Sequence, residues 1–405
     1  MEVNYRILSR VTVEAYFRPK CVVINPGEVC LKAGTEFYIV NQDGTIKRTD
    51  VNGNNPEKHN TPSVMKNEMY YYTYTSCEGG IPCKIVRANK SMEIEQQVFF
   101  NEFLEDACFL ESGYILYVAR EKDDWGGDRH LVCLNADLKT VWETTIQENK
   151  EHYSFRNAIF DAVLLVAVRP GCLRDVILKV SIDGSMAVFE DNLVGITTNT
   201  ASLQSLFSVN LEGRDVVVNY IEDYEFINEI YRGFNKRIVI TKYDESGSIK
   251  FFETYPAEIR SDRPCLSYSE IFEKVLFTNM KHDTGYALEE IDLSTKQRKE
   301  LISDNTIYGD AKKEGILYNM RFSYDLPPLL LDNGIAITAW GSYSRIDEKA
   351  KSRICLSYEN RVLLLFDVDG ALEEAVYKDG ILYLITAFSG RRTGLSFVYF
   401  IELEM

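Results

Sequence analysis

One short pattern, copied along the chain, restricts what this sequence can fold into more than any other feature. It consists of two apolar β-like runs separated by a polar break. Its clearest copy is His130 to Ile146, HLVCLNADLKTVWETTI, where Leu131, Cys133 and Val141 lie on one side of an alternating pattern and Asn135 to Lys139 interrupt it. Alternation with a period of two marks strands, and a break rich in residues that cap a turn or tolerate positive φ marks a hairpin between them. The same signature recurs as EFYIVNQDGTIKRT (Glu36 to Thr49), CKIVRANKSMEIEQQV (Cys83 to Val98), VILKVSIDGSMAVFE (Val176 to Glu190), RIVITKYDESGSIKFFE (Arg237 to Glu253) and ALEEIDLSTKQRKEL (Ala287 to Leu301). A weaker copy is RICLSYENRVLLLF (Arg353 to Phe366).

The spacing of these hairpins defines a unit. Taking Asp43, Asn89, Asp137, Asp183, Ser246, Ser294 and Glu359 as turn residues, successive intervals are 46, 48, 46, 63, 48 and 65 residues. The two long intervals place insertions within 193–236 and 303–352. A further strand precedes each hairpin, as in GEVCLKA, SGYILYVAR, EKVLFTNM and DGILYLITAF, and upstream of several stands another, such as CVVI (Cys21 to Ile24) or ACFL (Ala107 to Leu110). Four strands in a unit of this length is the arithmetic of a β-propeller blade. The expected fold is therefore all-β, a closed β-propeller of four-stranded blades forming a single domain over 1–405. Eight blades are expected, with seven as the alternative if the copy at 353–366 is irregular.

The ends of the sequence extend this reading. The last unit has a third strand, SFVYFIELE (Ser396 to Glu404), but no chain remains for a fourth. The N-terminal run VNYRILSRVTV (Val3 to Val13) is placed to supply it, so that the first strand pairs with the last and the ring hides its two open edges.

Charge and composition then exclude classes of function. A formal charge of −16 opposes a general affinity for nucleic acid, whose phosphates reward Lys and Arg. No apolar run approaches the roughly 18 residues of a membrane span, and the polar N-terminus lacks the features of a signal peptide, so the chain reads as cytoplasmic. Nine scattered cysteines without a CxxC pair read as free thiols, and four histidines in no paired motif give no zinc site, so neither metal nor cofactor is expected. DVDGALEE (Asp367 to Glu374) lacks the spacing of a calcium loop and reads as a turn between blades. Glu289 and Glu290, adjacent on one strand, point to opposite faces and cannot form a catalytic couple.

The hairpins VCLNADLKTVWE (Val132 to Glu143) and EIDLSTKQRK (Glu290 to Lys299) resemble the repeats of quinoprotein-like propellers. Asp137, Lys139 and Trp142 match the polar turn and following Trp of those repeats, while the turn is about one residue short and lacks its Gly. The superfamily includes pyrroloquinoline-quinone dehydrogenases and non-enzymatic assembly factors. The resemblance implies a fold; the adjacent cysteine pair and calcium ligands of the dehydrogenases have no counterpart here.

In a propeller the connections between second and third strands project to one face, and here they are longer and richer than the hairpin turns. That face would gather Arg129, His130, Arg169, Arg174, Arg232, His282, Arg345, Arg391 and Arg392, together with Trp125 on the Gly-flexed loop REKDDWGGDRH. An exposed Trp suits stacking on a sugar or anchoring a partner. The expected function is a non-enzymatic binding or protein-interaction scaffold whose partner is a protein or a small anionic or carbohydrate ligand. The alternative is a propeller hydrolase or lyase using His130 or His282 as acid or base, with arginines holding an anionic substrate. A third reading assigns partner recognition to the insertions Glu222 to Asn235 and Thr306 to Asp332.

Overall fold

Strands taken in sequence order and joined by tight turns can pair only with their immediate neighbours, and the repeat builds such antiparallel meanders throughout. The computed structural model describes residues 3–14, 20–33, 36–50, 63–65, 69–74, 83–89, 91, 93–110, 112–120, 128–146, 152–159, 162–168, 176–188, 203–211, 216–227, 230–244, 249–257, 266–269, 271–281, 285–303, 328–341, 351–359, 361–389 and 394–404. These residues hold eight four-stranded sheets.

Strand β1 (Asn4–Val13) is followed by the sheet β2 (Lys20–Asn25), β3 (Glu28–Ala33), β4 (Glu36–Asn41) and β5 (Ile46–Asp50). Next come β6 (Ser63–Met65), β7 (Met69–Tyr74), β8 (Cys83–Ala88) and β9 (Ile94–Phe100), then β10 (Phe103–Phe109), β11 (Ile115–Arg120), β12 (Arg129–Leu134) and β13 (Thr140–Ile146). The following sheets are β14 (His152–Ile159), β15 (Ala162–Val168), β16 (Val176–Ser181) and β17 (Met186–Val188), and β18 (Leu203–Leu211), β19 (Val216–Ile227), β20 (Ile230–Tyr243) and β21 (Ile249–Pro256). Two more are β22 (Leu266–Ser269), β23 (Lys274–Lys281), β24 (Gly285–Asp292) and β25 (Arg298–Ser303), and β26 (Leu329–Leu330), β27 (Ala336–Gly341), β28 (Lys351–Tyr358) and β29 (Arg361–Asp369). The last comprises β30 (Ala371–Lys378), β31 (Ile381–Ser389) and β32 (Gly394–Glu404), with β1 as its fourth strand.

All eight second strands read from the sequence are present, and the weak copy at 353–366 forms the regular pair β28–β29. β1 runs antiparallel to β32 from Asn4↔Glu404 to Val13↔Ser396 with a bulge after Ile7. The four sheets β6–β21 make one compact unit, 54–256, and the remaining four make a second, 1–53 with 257–405.

The middle strands are apolar at successive positions because each is buried on both faces. On β12, Val132 and Leu134 pack with Tyr71, Ile85 and Phe100 of the preceding sheet. The alternate residues Leu131 and Cys133 pack with Tyr153, Phe155 and Val163 of the following one. β31 repeats the arrangement, with Leu382 and Leu384 in one cluster and Tyr383 and Ile385 in another. First strands of consecutive sheets also meet, β10 with β14, β14 with β18, and β22 with β26.

Hairpin turns are organised by an Asp or Asn whose carboxylate or amide oxygen accepts N–H groups two to four residues on. Asp43 takes Thr45 N–H at 2.8 Å, Asn135 takes Asp137 and Lys139 at 3.0 and 3.1 Å, and Asp183 takes Ser185 at 2.9 Å. In the third hairpin Asn135 is thus the capping residue, and in the sixth it is Asp292, which accepts from Ser294 and Thr295. The bond from Thr45 N–H holds the Asp43 carboxyl below its ordinary range, and Ser185 does the same for Asp183. At Asp292 burial works in the opposite direction, but the bonds from Ser294 and Thr295 prevail and its pKa is lowered.

Neighbouring sheets fasten onto these turns. The Trp142 indole N–H donates to the carbonyl of Ile182 at 2.6 Å. Tyr71 OH and Arg87 donate to Ala136 O at 2.8 and 3.1 Å, and Gln96 donates to Asp137 O at 2.6 Å. Trp142 and its hairpin are therefore structural.

The stretch Glu222 to Asn235, expected as a long loop, instead prolongs a hairpin. Asp223↔Phe234 through Ile227↔Ile230 continue the β19–β20 ladder beyond a bulge at Ile221, because EDYEFI and IYRGF are rich in strand-favouring aromatic and branched residues. Most of the second insertion, 304–327, lies outside the described residues. Among the described residues no helix is long and apolar enough to cross a membrane.

Candidate functional site

Seven of the ten expected site residues, Trp125, Arg169, Arg174, His282, Arg345, Arg391 and Arg392, lie outside the described residues. Each falls in sequence between the second and third strands of its sheet, within 121–127, 169–175, 282–284, 342–350 or 390–393. The other three are on strands. Arg232 belongs to β20, opposite Glu225 in the ladder, and not to a loop.

Arg129 also departs from expectation. It opens β12 opposite Arg120 of β11, and its side chain is fully buried. The reason is Glu105 on β10, itself 2% exposed, whose Oε1 lies 3.1 Å from Arg120 Nε and 3.1 Å from Arg129 Nη2. The other oxygen, Oε2, accepts the backbone N–H of Tyr153 at 3.2 Å, so the cluster joins the sheet β10–β13 to β14. Arg120 stacks over Phe103, with Cζ 4.6 Å from the ring centre. Guanidinium groups cannot shed their protons, so this burial depends on the carboxylate between them. Arg129 is a structural ion and does not contribute to a cationic surface.

His130, one residue further, points the other way from β12 and remains one-third exposed. Its Nδ1 stands 3.3 Å from Glu143 Oε1 and 3.5 Å from Glu102 Oε1. The surroundings are acidic: the Tyr117 hydroxyl is pushed up by burial and further by the charges of Glu102 and Glu143. A carboxylate at this range is what an acid or base histidine requires, but His282, its expected companion, lies outside the described residues. Among the described residues no group of three His, Cys, Asp or Glu could hold a metal ion. Cys30, Cys108 and Cys355 have thiols pushed up to about 12, and Cys133 to about 11, chiefly by burial, which leaves them unreactive as thiolates.

A notch missed in the sequence lies between the sheets β22–β25 and β26–β29, at their hairpin ends. It is about 160 Å³ in volume and is lined by Phe272, Lys274, Glu290, Lys299, Leu301, Leu330, Asn333, Gly334, Ala336, Ser357, Tyr358 and Glu359. Glu289 and Glu290 do face opposite ways: Glu289 binds Asn279 at 2.9 Å and pairs with Arg298, whereas Glu290 pairs with Lys274 at 3.0 Å and Lys299 at 3.3 Å. The available signal was the cross-strand pair Glu290↔Lys299, a carboxylate directly opposite an ammonium.

No family model matches the chain, and no curated protein sequence matches it. Among solved structures it is similar to Sqt1 of Saccharomyces cerevisiae, 12% identical with a TM-score of 0.56, the match covering 98% of each chain. It is similar also to a eukaryotic initiation factor, 9% identical with a TM-score of 0.49 over 86% of this chain and 87% of that one. An oligogalacturonate lyase in complex with manganese is 11% identical, with a TM-score of 0.46 over 98% and 92%. These neighbours are β-propeller-type folds, and the consecutive four-stranded sheets together with the likeness to Sqt1 make this an all-β fold of that type. At such identity the likeness speaks for fold alone.

Proposed function

We propose that the protein is a non-enzymatic interaction scaffold, an eight-bladed propeller of the quinoprotein-like repeat type. The eight sheets form one domain, closed by β1 on β32, and the protein works in the cytoplasm. Its recognition surface is built from the connections between second and third strands, with Trp125 as anchor and Arg169, Arg174, Arg345, Arg391 and Arg392 as partners for an anionic patch on another protein. The observation that supports this most is the unequal use of the two ends of the sheets. At the hairpin ends, the turns of the sheets β10–β13 and β14–β17 are engaged by bonds from Tyr71, Arg87, Gln96 and Trp142. The opposite ends carry arginine-bearing connections in three sheets, at 169–175, 342–350 and 390–393, and the Trp125 connection, 121–127, in a fourth. Arginine and tryptophan are the residue types enriched where binding energy concentrates.

A photo-crosslinking residue at position 125, compared with one at Asp43 on a hairpin turn, tests this. A discrete protein adduct should form from position 125 alone, and it should be lost in the double variant R391A/R392A. Equal adducts from both positions, or none, would refute the assignment of the surface.

A further inference from the structure

We infer that the notch between the sheets β22–β25 and β26–β29 binds a carboxylate carried on a short aliphatic chain, gripped by the ammonium groups of Lys274 and Lys299. The site is distinct from the recognition surface proposed above, since it is built at the hairpin ends of its sheets.

The grip follows from Glu290. Both lysine nitrogens lie on the same oxygen, Glu290 Oε1, at 3.0 and 3.3 Å, so they are held within about 6 Å of one another. Glu290 is 8% exposed and fixed on β24, whereas the lysines are 25% and 45% exposed at the wall of the notch. One carboxylate cannot neutralise two ammonium ions, so the triad keeps one positive charge. Each ammonium has three N–H groups, of which the shared oxygen uses one. A second carboxylate arriving from the open side would therefore meet two oriented donors that Glu290 has already brought together. Preorganisation of this kind lowers the cost of binding. In a chain of net charge −16, the attraction an anion meets in this notch comes from the two ammonium groups, since its wall also holds Glu290 and Glu359.

The rest of the wall specifies the ligand. Phe272, Tyr358, Leu301 and Leu330 give the notch apolar surface suited to methylenes. Its volume of about 160 Å³ is close to that of the roughly 150 Å³ engineered cavity that accepts benzene, so it admits about six heavy atoms. A glutamate side chain beyond Cα has five. Glu290 and Glu359 in the wall disfavour a second negative charge at the grip, which separates a carboxylate from phosphate. The carboxylate belongs either to a free short acid or to an acidic side chain of a protein segment.

Calorimetric titration of the full-length protein distinguishes these. The probes are butyrate, an acetylated and amidated pentapeptide with a central Glu, the same peptide with Gln, and inorganic phosphate. Saturable binding of butyrate or of the Glu peptide is expected, with the Gln peptide and phosphate at least about tenfold weaker. K299M should weaken the carboxylate probe about tenfold, the worth of one charge-assisted hydrogen bond. Lys299 is nearly half exposed, so K299M should keep the wild-type unfolding midpoint. K274M should weaken binding similarly, and K299R should retain most of it. Tighter butyrate assigns the site to a free acid, and a tighter Glu peptide assigns it to a partner's side chain. No saturable binding of either carboxylate probe, equal binding of the Gln peptide or phosphate, or unchanged binding in a folded K299M protein would overturn the inference.

Discussion

Replacing Glu105 by Gln should destabilise the unit 54–256 by about 3–5 kcal/mol, the range for removing one member of a buried ion cluster. Glu105 is 2% exposed, and its Oε1 alone lies 3.1 Å from both Arg120 Nε and Arg129 Nη2, guanidinium groups with side chains 2% and 0% exposed. Gln preserves the volume but removes the charge, and its amide nitrogen must face either the arginines or the Tyr153 N–H that Oε2 now accepts at 3.2 Å. Two permanent cations then stay buried without that counter-charge. Against a typical total stability of about 5–15 kcal/mol, the loss is about a fifth or more. Urea unfolding followed by intrinsic fluorescence would report it, with Trp142 inside the affected unit. The argument also predicts a rescue: E105L/R120M/R129M, which removes the charges together, should recover most of the loss, since a well-packed apolar replacement of a buried ion cluster is often neutral or better. An E105Q protein within about 1 kcal/mol of wild type, or a triple variant less stable than E105Q, would refute the reasoning.

Gly184 and Gly44 occupy equivalent turns with φ of +89° and +90°, but a Cβ at 184 would stand 3.3 Å from Trp142 Cδ2 whereas one at 44 meets nothing within 4 Å. G44A should therefore cost only about 1–2 kcal/mol of backbone strain, and G184A a further 1–3 kcal/mol or so from overpacking; equal losses in urea unfolding would show that the indole does not press on the turn. Deleting residues 1–13 should lower the thermal unfolding midpoint and promote self-association, because it removes the buried Val3, Val11 and Val13 and bares the edge of β32; an unchanged midpoint would count against that role for β1. Asp43 and Asp183 have folded pKa values below their ordinary, unfolded value, so the stability they contribute is complete above about pH 4 and is lost as pH falls through the folded values. D43N/D183N should keep the turns, since Asn caps the third hairpin, and should show a shallower acid loss of stability; acid unfolding profiles that superpose with wild type would contradict this.

What could be read directly from the sequence was whatever repeats locally. β12 and β31 announce themselves as unbroken apolar runs because a strand buried on both faces has no polar side, and the caps announce themselves because Asp or Asn two residues before a donor is a local arrangement. Even there the sequence did not say which side chain of the turn does the capping, since several polar residues share one turn and only geometry singles out Asn135. The charged residues were much less legible. Arg129 looked like the end of a polar loop because Glu105, which draws it inside, lies 24 residues upstream on a strand two places away in the sheet. Glu290 looked unpromising because its alternation with Glu289 rules out a shared proton, yet that same alternation gives each glutamate its own face and its own cations. A hydrophobic side chain has one destination, and periodicity names it. A charged one is either solvated or paired, and which of the two holds is decided by a residue from another strand, so the recognition chemistry of a repeat protein is written in the positions where its repeats differ.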